Sequence, residues 1–273
     1  MVSTASVIVM LAGIVFIFAL VIGLMLFYKR KYHTYISTFL IGAATFILFA
    51  LVLEQLMHVL VLFKLPVGEK IQNNIWLYAL YGGLAAGVFE ETGRWFAMKF
   101  LLKRKHDKPH TALMYGAGHG GIEALLLGGL SLVSNMIYSF MINAGQEQML
   151  LNQIPAEQLE AVQTSFNQLK EASPALFAAI PAERVSAVTL HIALSVLVWT
   201  AVVKKKPPMY LLAIFLHFLV DATAVLLKDK IPIAVLELLI FAMSVLVALL
   251  AYAVWRKHLK SVSADISEPE IVA

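Results

Sequence analysis

An all-α bundle of about seven transmembrane helices is the fold this sequence predicts, on three observations. Of the 273 residues 60% are hydrophobic and only 14% charged, and the mean hydropathy is +0.82, values that belong to a polytopic membrane protein rather than a soluble domain. The apolar residues gather into seven runs long enough to cross a bilayer as helices, roughly 5–27, 36–63, 75–102, 111–142, 183–203, 207–227 and 232–255. The basic residues cluster in short stretches beside those runs, where they report topology rather than affinity for nucleic acid.

The first run has no basic residue before it and no small-residue cleavage pattern after it, and Lys29, Arg30 and Lys31 follow directly. It reads as a retained helix with its N-terminus outside, not a signal peptide. The other basic clusters then fall on the same inner side: Lys103, Arg104, Lys105 and Lys108, then Lys204 to Lys206, then Arg256, Lys257 and Lys260. Lys64, Lys70, Lys170, Arg184, Lys228 and Lys230 are left for the outer side. This bias predicts an N-out, C-in chain with seven spans. One transmembrane domain covers 1–260, and 261–273 reads as a disordered cytoplasmic tail.

One long connection, 143–182, falls outside. Pro155 followed by Leu159, Val162, Phe166 and Leu169 gives it an amphipathic helical stripe, best explained as a surface helix capping the bundle. Pro174 and Pro181 mark the return to the membrane. There is no cysteine, which excludes disulfides, thiolate catalysis and cysteine metal ligands.

The third run carries Phe89-Glu90-Glu91-Thr92-Gly93-Arg94-Trp95 near its middle. A charged side chain at the centre of a bilayer costs at least ~2.5 kcal/mol, so three together require a polar interior. On a helix Glu90 and Arg94 share a face while Glu91 points about 100° away, so Arg94 can neutralise one carboxylate and leave the other free. The fourth run holds Tyr115-Gly116-Ala117-Gly118-His119-Gly120-Gly121-Ile122-Glu123, with His119 and Glu123 one turn apart. Gly116 with Gly120, and Gly83 with Gly87, make small-xxx-small surfaces whose simplest reading is close helix packing, which would also bring the third and fourth helices together. The sixth run repeats the one-turn spacing with His217 and Asp221. The fifth run adds His191, the second adds Glu54 and His58 at the same spacing but nearer the outer surface, and Glu237 and Asn135 are outer members; a lone intramembrane His such as His191 or His58 is as often a hydrogen-bonded packing residue as a functional one. His106 and His110 fall in the basic inner loop and read as solvated.

The set Glu90, Glu91, Arg94, His119, Glu123, His217 and Asp221 supports two chemistries. In one, a carboxylate of the Glu90-Glu91 pair is the general base on a water, with His119 and His217 orienting it or stabilising an oxyanion. In the other, His119, His217 and a carboxylate such as Asp221 hold Zn²⁺ with a fourth position for water, and Glu90 or Glu91 is the base. No H-E-x-x-H is present.

At these residues the chain resembles the YhfC family of intramembrane peptidases, related to the wider CAAX-protease and bacteriocin-processing superfamily. The superfamily pattern is a Glu-Glu pair followed by a basic residue, an aromatic-xxx-His, then His-xxx-Asn or His-xxx-Asp. Glu90-Glu91-Thr92-Gly93-Arg94, Tyr115-xxx-His119 and His217-xxx-Asp221 stand in that order. Arg94 comes three residues after Glu91 where the wider pattern has four, and Tyr115 stands where Phe is commoner. The resemblance implies an all-helical bundle in a bacterial cell membrane that cleaves a peptide or membrane-protein substrate. Glu90, Glu91, His119 and His217 would form the core of the site, Asp221 would orient His217, and the mechanism would be either metal-dependent or glutamate-type. Two other classes are a non-catalytic scaffold or immunity subunit that holds a partner's peptide in the same pocket, and an ion-coupled transporter, for which the sequence lacks an inverted repeat.

Overall fold

The computed structural model describes residues 1–106 and 108–267. Among the described residues ten long or short α-helices follow in chain order, α1 (Thr4–Tyr32), α2 (Ile36–Lys64), α3 (Val67–Gln72), α4 (Ile75–Phe96), α5 (Thr111–Asn143), α6 (Glu147–Leu151), α7 (Ala156–Glu171), α8 (Pro174–Val203), α9 (Pro207–Leu227) and α10 (Ile233–Ser267), with a π-helical stretch Ala97–Leu101 continuing α4 and a 3-10 turn at Lys103–Lys105. Among the described residues there is no strand. Six of the helices, α1, α2, α5, α8, α9 and α10, are long and apolar enough to cross a membrane. The protein is a multi-pass integral membrane protein. The third apolar run is also a helix, α4, but Glu90, Glu91 and Arg94 lower its apolar character, and it does not meet the same criterion.

Helix α8 is the centre of the bundle. Its most apolar stretch is 72% buried, against 22–33% in the other five spans. Trp199, Leu194 and Leu197 are fully enclosed there, and Trp199 packs edge-on against His106. The outer helices instead turn Leu11, Phe18, Ile22, Leu211, Phe215 and Leu246 outward, the apolar surface a lipid-facing helix needs.

Local chemistry explains the helix ends. Ser3 caps α1 by accepting from the Ser6 amide, and Asn74 caps α4 by accepting from Trp76 and Leu77. Lys29, Arg30 and Lys31 in the last turn of α1 complement its C-terminal dipole. Pro155 precedes α7, whose Phe166 and Leu169 are buried, as the amphipathic stripe predicts. The return to the membrane differs from expectation: α8 begins at Pro174 and runs through Pro181, so its apolar run starts nine residues before 183. Pro174 occupies the first turn, where a missing N–H costs nothing, and Pro181 sits less than two turns further on. Helix α10 continues to Ser267, and the remainder of the expected tail, 268–273, lies outside the described residues. The loop histidines are not solvated: His106 is half-buried with Nε2 2.9 Å from the Met98 carbonyl, and His110 stacks on Tyr32.

Glycine sets the helix spacing, with partners other than those the pairing of the third and fourth runs suggests. Gly116 and Gly120 face α8 at Ile192 and His191, while Gly83 and Gly87 face α9 at Phe218 and Ile214. The tightest contact joins α2 to α5, where a Cβ on Gly118 would lie 2.0 Å from the Phe39 carbonyl oxygen. Backbone cannot yield as a flexible side chain can, so Gly118→Ala is expected to cost at least ~1–3 kcal/mol. Thermal unfolding in detergent checks this against Gly82→Ala, whose Cβ meets nothing within 4 Å and which is expected to leave the transition unchanged.

Candidate active site

Helices α4, α5, α8 and α9 bring their ionisable residues into one buried network. Glu91 and Arg94 lie on adjacent turns of α4 with Glu91 Oε2 3.1 Å from Arg94 Nε, and both side chains are 0% exposed. The partner of Arg94 is therefore the i−3 carboxylate rather than the i−4 one, Glu90, both spacings being adjacent on a helix surface. Arg94 reaches across to α8 with its other nitrogens. Nη1 donates to the His191 carbonyl at 2.6 Å and to Ser195 Oγ at 2.7 Å, and Nη2 lies 3.0 Å from His191 Nδ1. A guanidinium can only donate, so His191 Nδ1 accepts and the imidazole proton sits on Nε2.

That proton faces Glu123. His191 Nε2 is in a short contact with Glu123 Oε2, and Arg184 Nη1 donates to Glu123 Oε1 at 2.8 Å. Arg184 also pairs with Glu183. Glu123 thus joins His191 and Arg184 on α8, and not His119 one turn before it.

Glu91 is held a second time. Its Oε1 lies 2.9 Å from His217 Nδ1, and the other nitrogen of His217 is 3.5 Å from Asp221 Oδ2 on the next turn. Both oxygens of Glu91 are therefore committed, one to a guanidinium and one to an imidazole. Glu90 is placed differently. Its Oε2 is 2.9 Å from His119 Nε2 and 3.8 Å from His191 Nδ1, and its side chain keeps 9% exposure. The imidazoles of His119, His191 and His217 follow one another at centroid spacings of 4.9 and 5.4 Å. Tyr115, one turn before His119, has its ring 6.0 Å from that imidazole.

A cavity of about 180 Å³ opens beside this network between α8, α9 and α10. Glu90, Glu123, Arg184, His191, His217 and Asp221 all line it, and the Asp221 side chain is 36% exposed. It has room for several waters or the short span of an extended chain.

Of the residues singled out from sequence, Glu90, Glu91, Arg94, His119, Glu123, His217 and Asp221 all fall in this network. His191, Arg184 and Ser195 complete it. Their signal in the sequence is spacing: 184, 191 and 195 recur at i, i+7 and i+11, one face of a helix. The remaining candidates are elsewhere: Glu54 pairs with His58, which meets the Tyr81 hydroxyl, Glu237 lines a separate apolar recess, and Asn135 lies under the α7 cap.

Glu90, His119 and His191 each offer a ligand atom within 4.8 Å of the others, and all three are buried. Two imidazoles and a carboxylate with a further position open are the donor set of a catalytic zinc, so the residues fit a divalent metal. Ligation by His191 Nδ1 would displace the Arg94 contact, which Ser195 and the His191 carbonyl would continue to hold. In this cluster His191 stands beside His119 where the sequence pattern offers His217 and Asp221.

Comparison with known proteins agrees with the motifs. The family model described as "YhfC intramembrane metalloprotease" matches residues 16–259. A Bacillus subtilis (strain 168) protein named "Uncharacterized membrane protein YhfC" is 39% identical over 252 residues, covering 90% of this chain and 96% of that protein. No solved structure matches. With its buried Glu90-His119-His191 cluster inside a bundle of apolar helices, the chain belongs to the YhfC intramembrane metalloprotease family.

Proposed function

We propose that the protein is an intramembrane endopeptidase that hydrolyses a peptide bond of a membrane or membrane-proximal substrate, with the cavity between α8, α9 and α10 as the place of cleavage. The observation that carries the reading is the division of labour in the Glu90-Glu91 pair. Glu91 is locked between Arg94 and His217, whereas Glu90 touches His119 and lines the cavity.

In this reading Glu90, held to His119 at 2.9 Å, takes a proton from a water on its cavity side, and the water oxygen attacks the scissile carbonyl. His217, fixed at Nδ1 by donating to Glu91, turns Nε2 toward the cavity beside Asp221 and, in its imidazolium form, donates from Nε2 to the developing oxyanion. Glu90 then returns the proton to the leaving amine. Arg94 holds Glu91 and His191 in register and touches no reacting atom. In the metal-dependent alternative Glu90, His119 and His191 would hold Zn²⁺, which would lower the pKa of a water to ~7 and polarise the carbonyl, with Glu90 then serving as a ligand in place of its role as base.

Two measurements on purified protein test the reading. Incubation with a panel of transmembrane peptides, read by mass spectrometry, is expected to give a single internal cleavage in at least one of them. Metal content separates the two ligand sets: zinc bound by the wild type is expected to be lost in His119→Ala and His191→Ala and kept in His217→Ala. Loss in His217→Ala with retention in His191→Ala would assign the ligands to His119, His217 and Asp221 instead.

A further inference from the structure

A larger cavity than the one beside Glu90 lies elsewhere in the bundle. It is a groove of about 480 Å³ between α1, α8 and α10, and none of the side chains of the buried ionic network lines it. Leu20, Leu24, Val188, Ile192, Ala248 and Ala251 form its apolar walls. At one end the walls become aromatic: Phe27, Tyr28, Tyr32, Tyr252 and Trp255. His110 lies across that end, stacked on Tyr32 at 4.0 Å and edge-on to Trp255 at 5.3 Å.

Cations stand over the aromatic end. Lys31 Nζ is 5.0 Å from the Phe27 ring and 5.4 Å from the Tyr32 ring, and the Arg256 guanidinium is 5.8 Å from the Tyr252 ring. These rings line the groove, so the two charges flank its mouth from opposite helices. Lys29, Arg30 and Lys257 are the next residues in sequence on the same two helix ends.

The geometry points to a binding site for an anionic phospholipid, with an acyl chain in the groove and the phosphate between Lys31 and Arg256. The three layers of the site match the three layers of such a lipid: hydrocarbon against Leu, Val, Ile and Ala, an interfacial collar of Tyr and Trp, and positive charge at headgroup level. Its volume is in the ~300–1,000 Å³ range of small-ligand sites. A transmembrane helix, ~10 Å across and ~30 Å long, fills a cylinder on the order of 2,000 Å³, far more than the groove offers. The occupant packs against Val188 and Ile192, which flank His191 in sequence, and so braces the helix that carries one imidazole of the network.

The test is native mass spectrometry of full-length protein in detergent, titrated with phosphatidylglycerol and with phosphatidylcholine of the same acyl chains. Phosphatidylglycerol is expected to bind with one-to-one stoichiometry and at least tenfold more tightly than phosphatidylcholine. Both cations are exposed, so Lys31→Gln with Arg256→Gln keeps the fold; it is expected to weaken phosphatidylglycerol roughly tenfold to thirtyfold and to bring the two lipids close together. Ala248→Phe, filling the groove, is expected to lower binding of both, with its folding verified by thermal unfolding. Equal affinity for the two lipids in the wild type would overturn the assignment. So would a preference that survives Lys31→Gln with Arg256→Gln, or a transmembrane peptide that displaces phosphatidylglycerol from the wild type but not from Ala248→Phe.

Discussion

Glu90→Gln is expected to lower kcat/KM on a cleavable transmembrane peptide by ~10²–10⁴, the contribution of a positioned general base, while leaving the protein folded. The substitution keeps the shape of the side chain and its contact with His119, 2.9 Å away, but removes the oxygen that accepts the proton. Glu91 cannot substitute for it, since both of its oxygens are committed to Arg94 and His217. The comparison with Glu91→Gln is therefore diagnostic. That variant weakens the ion pair to Arg94 and loosens His217, so it should lower the unfolding temperature as well as the rate. Cleavage assays beside thermal unfolding in the same detergent separate the two effects. A Glu90→Gln protein with unimpaired turnover would remove Glu90 from the reaction.

Arg94→Met is expected to cost ~3–5 kcal/mol, enough to leave little folded protein, because it strips the partner from a fully buried carboxylate. Arg94 is 0% exposed and joins Glu91 on α4 to His191 and Ser195 on α8. Its loss leaves the His191 carbonyl and Nδ1 without their guanidinium donor as well as Glu91 without its charge. Arg94→Lys restores the charge but not the fork that reaches two helices, and should recover only part of the stability. The double variant Arg94→Met, Glu91→Leu removes both charges of the pair and should be more stable than Arg94→Met alone, though His217 then loses its Glu91 contact. Chemical or thermal unfolding of the four forms measures these differences.

Much of the bundle was legible because the bilayer imposes one simple rule, a long apolar helix, and the sequence obeys it in six places. The exceptions are instructive. Helix α4 departs from the rule because it carries Glu90, Glu91 and Arg94, so of the seven apolar runs the one least like a membrane span by composition is the one that brings the Glu90-Glu91 pair to the site. The start of α8 was misjudged because Pro174 and Pro181 read as punctuation, whereas both fall within two turns of the helix start. His106 and His110 read as solvated because they stand in a run of basic residues, and nothing local signals the rings of Trp199 and Tyr32 that cover them.

Within the site, motif spacing located residues but not their partners. His119 and Glu123 are one turn apart, which suggests a shared task, yet they point to different helices: His119 to Glu90, Glu123 to His191 and Arg184. Those pairings depend on where α8 passes, and that is fixed by contacts such as Gly116 against Ile192 and Gly120 against His191, remote in sequence. His191 had no acidic neighbour in its own helix turn to mark it, and Arg184 was counted with the outer-side basic residues because it stands at the very start of its apolar run. Their shared partner, Glu123, became visible only when α5 was packed on α8.

The most direct test of the central claim, that Glu90 and His119 activate a water to cleave a peptide bond, is isotope incorporation. Purified protein is incubated with a cleavable transmembrane peptide in H₂¹⁸O, and the fragments are weighed. The account predicts one ¹⁸O atom in the newly formed carboxyl terminus with wild type and no fragment with Glu90→Gln or His119→Ala. Cleavage that persists undiminished in folded forms of both variants, or no cleavage and no labelled fragment from any peptide with folded wild type, would contradict it.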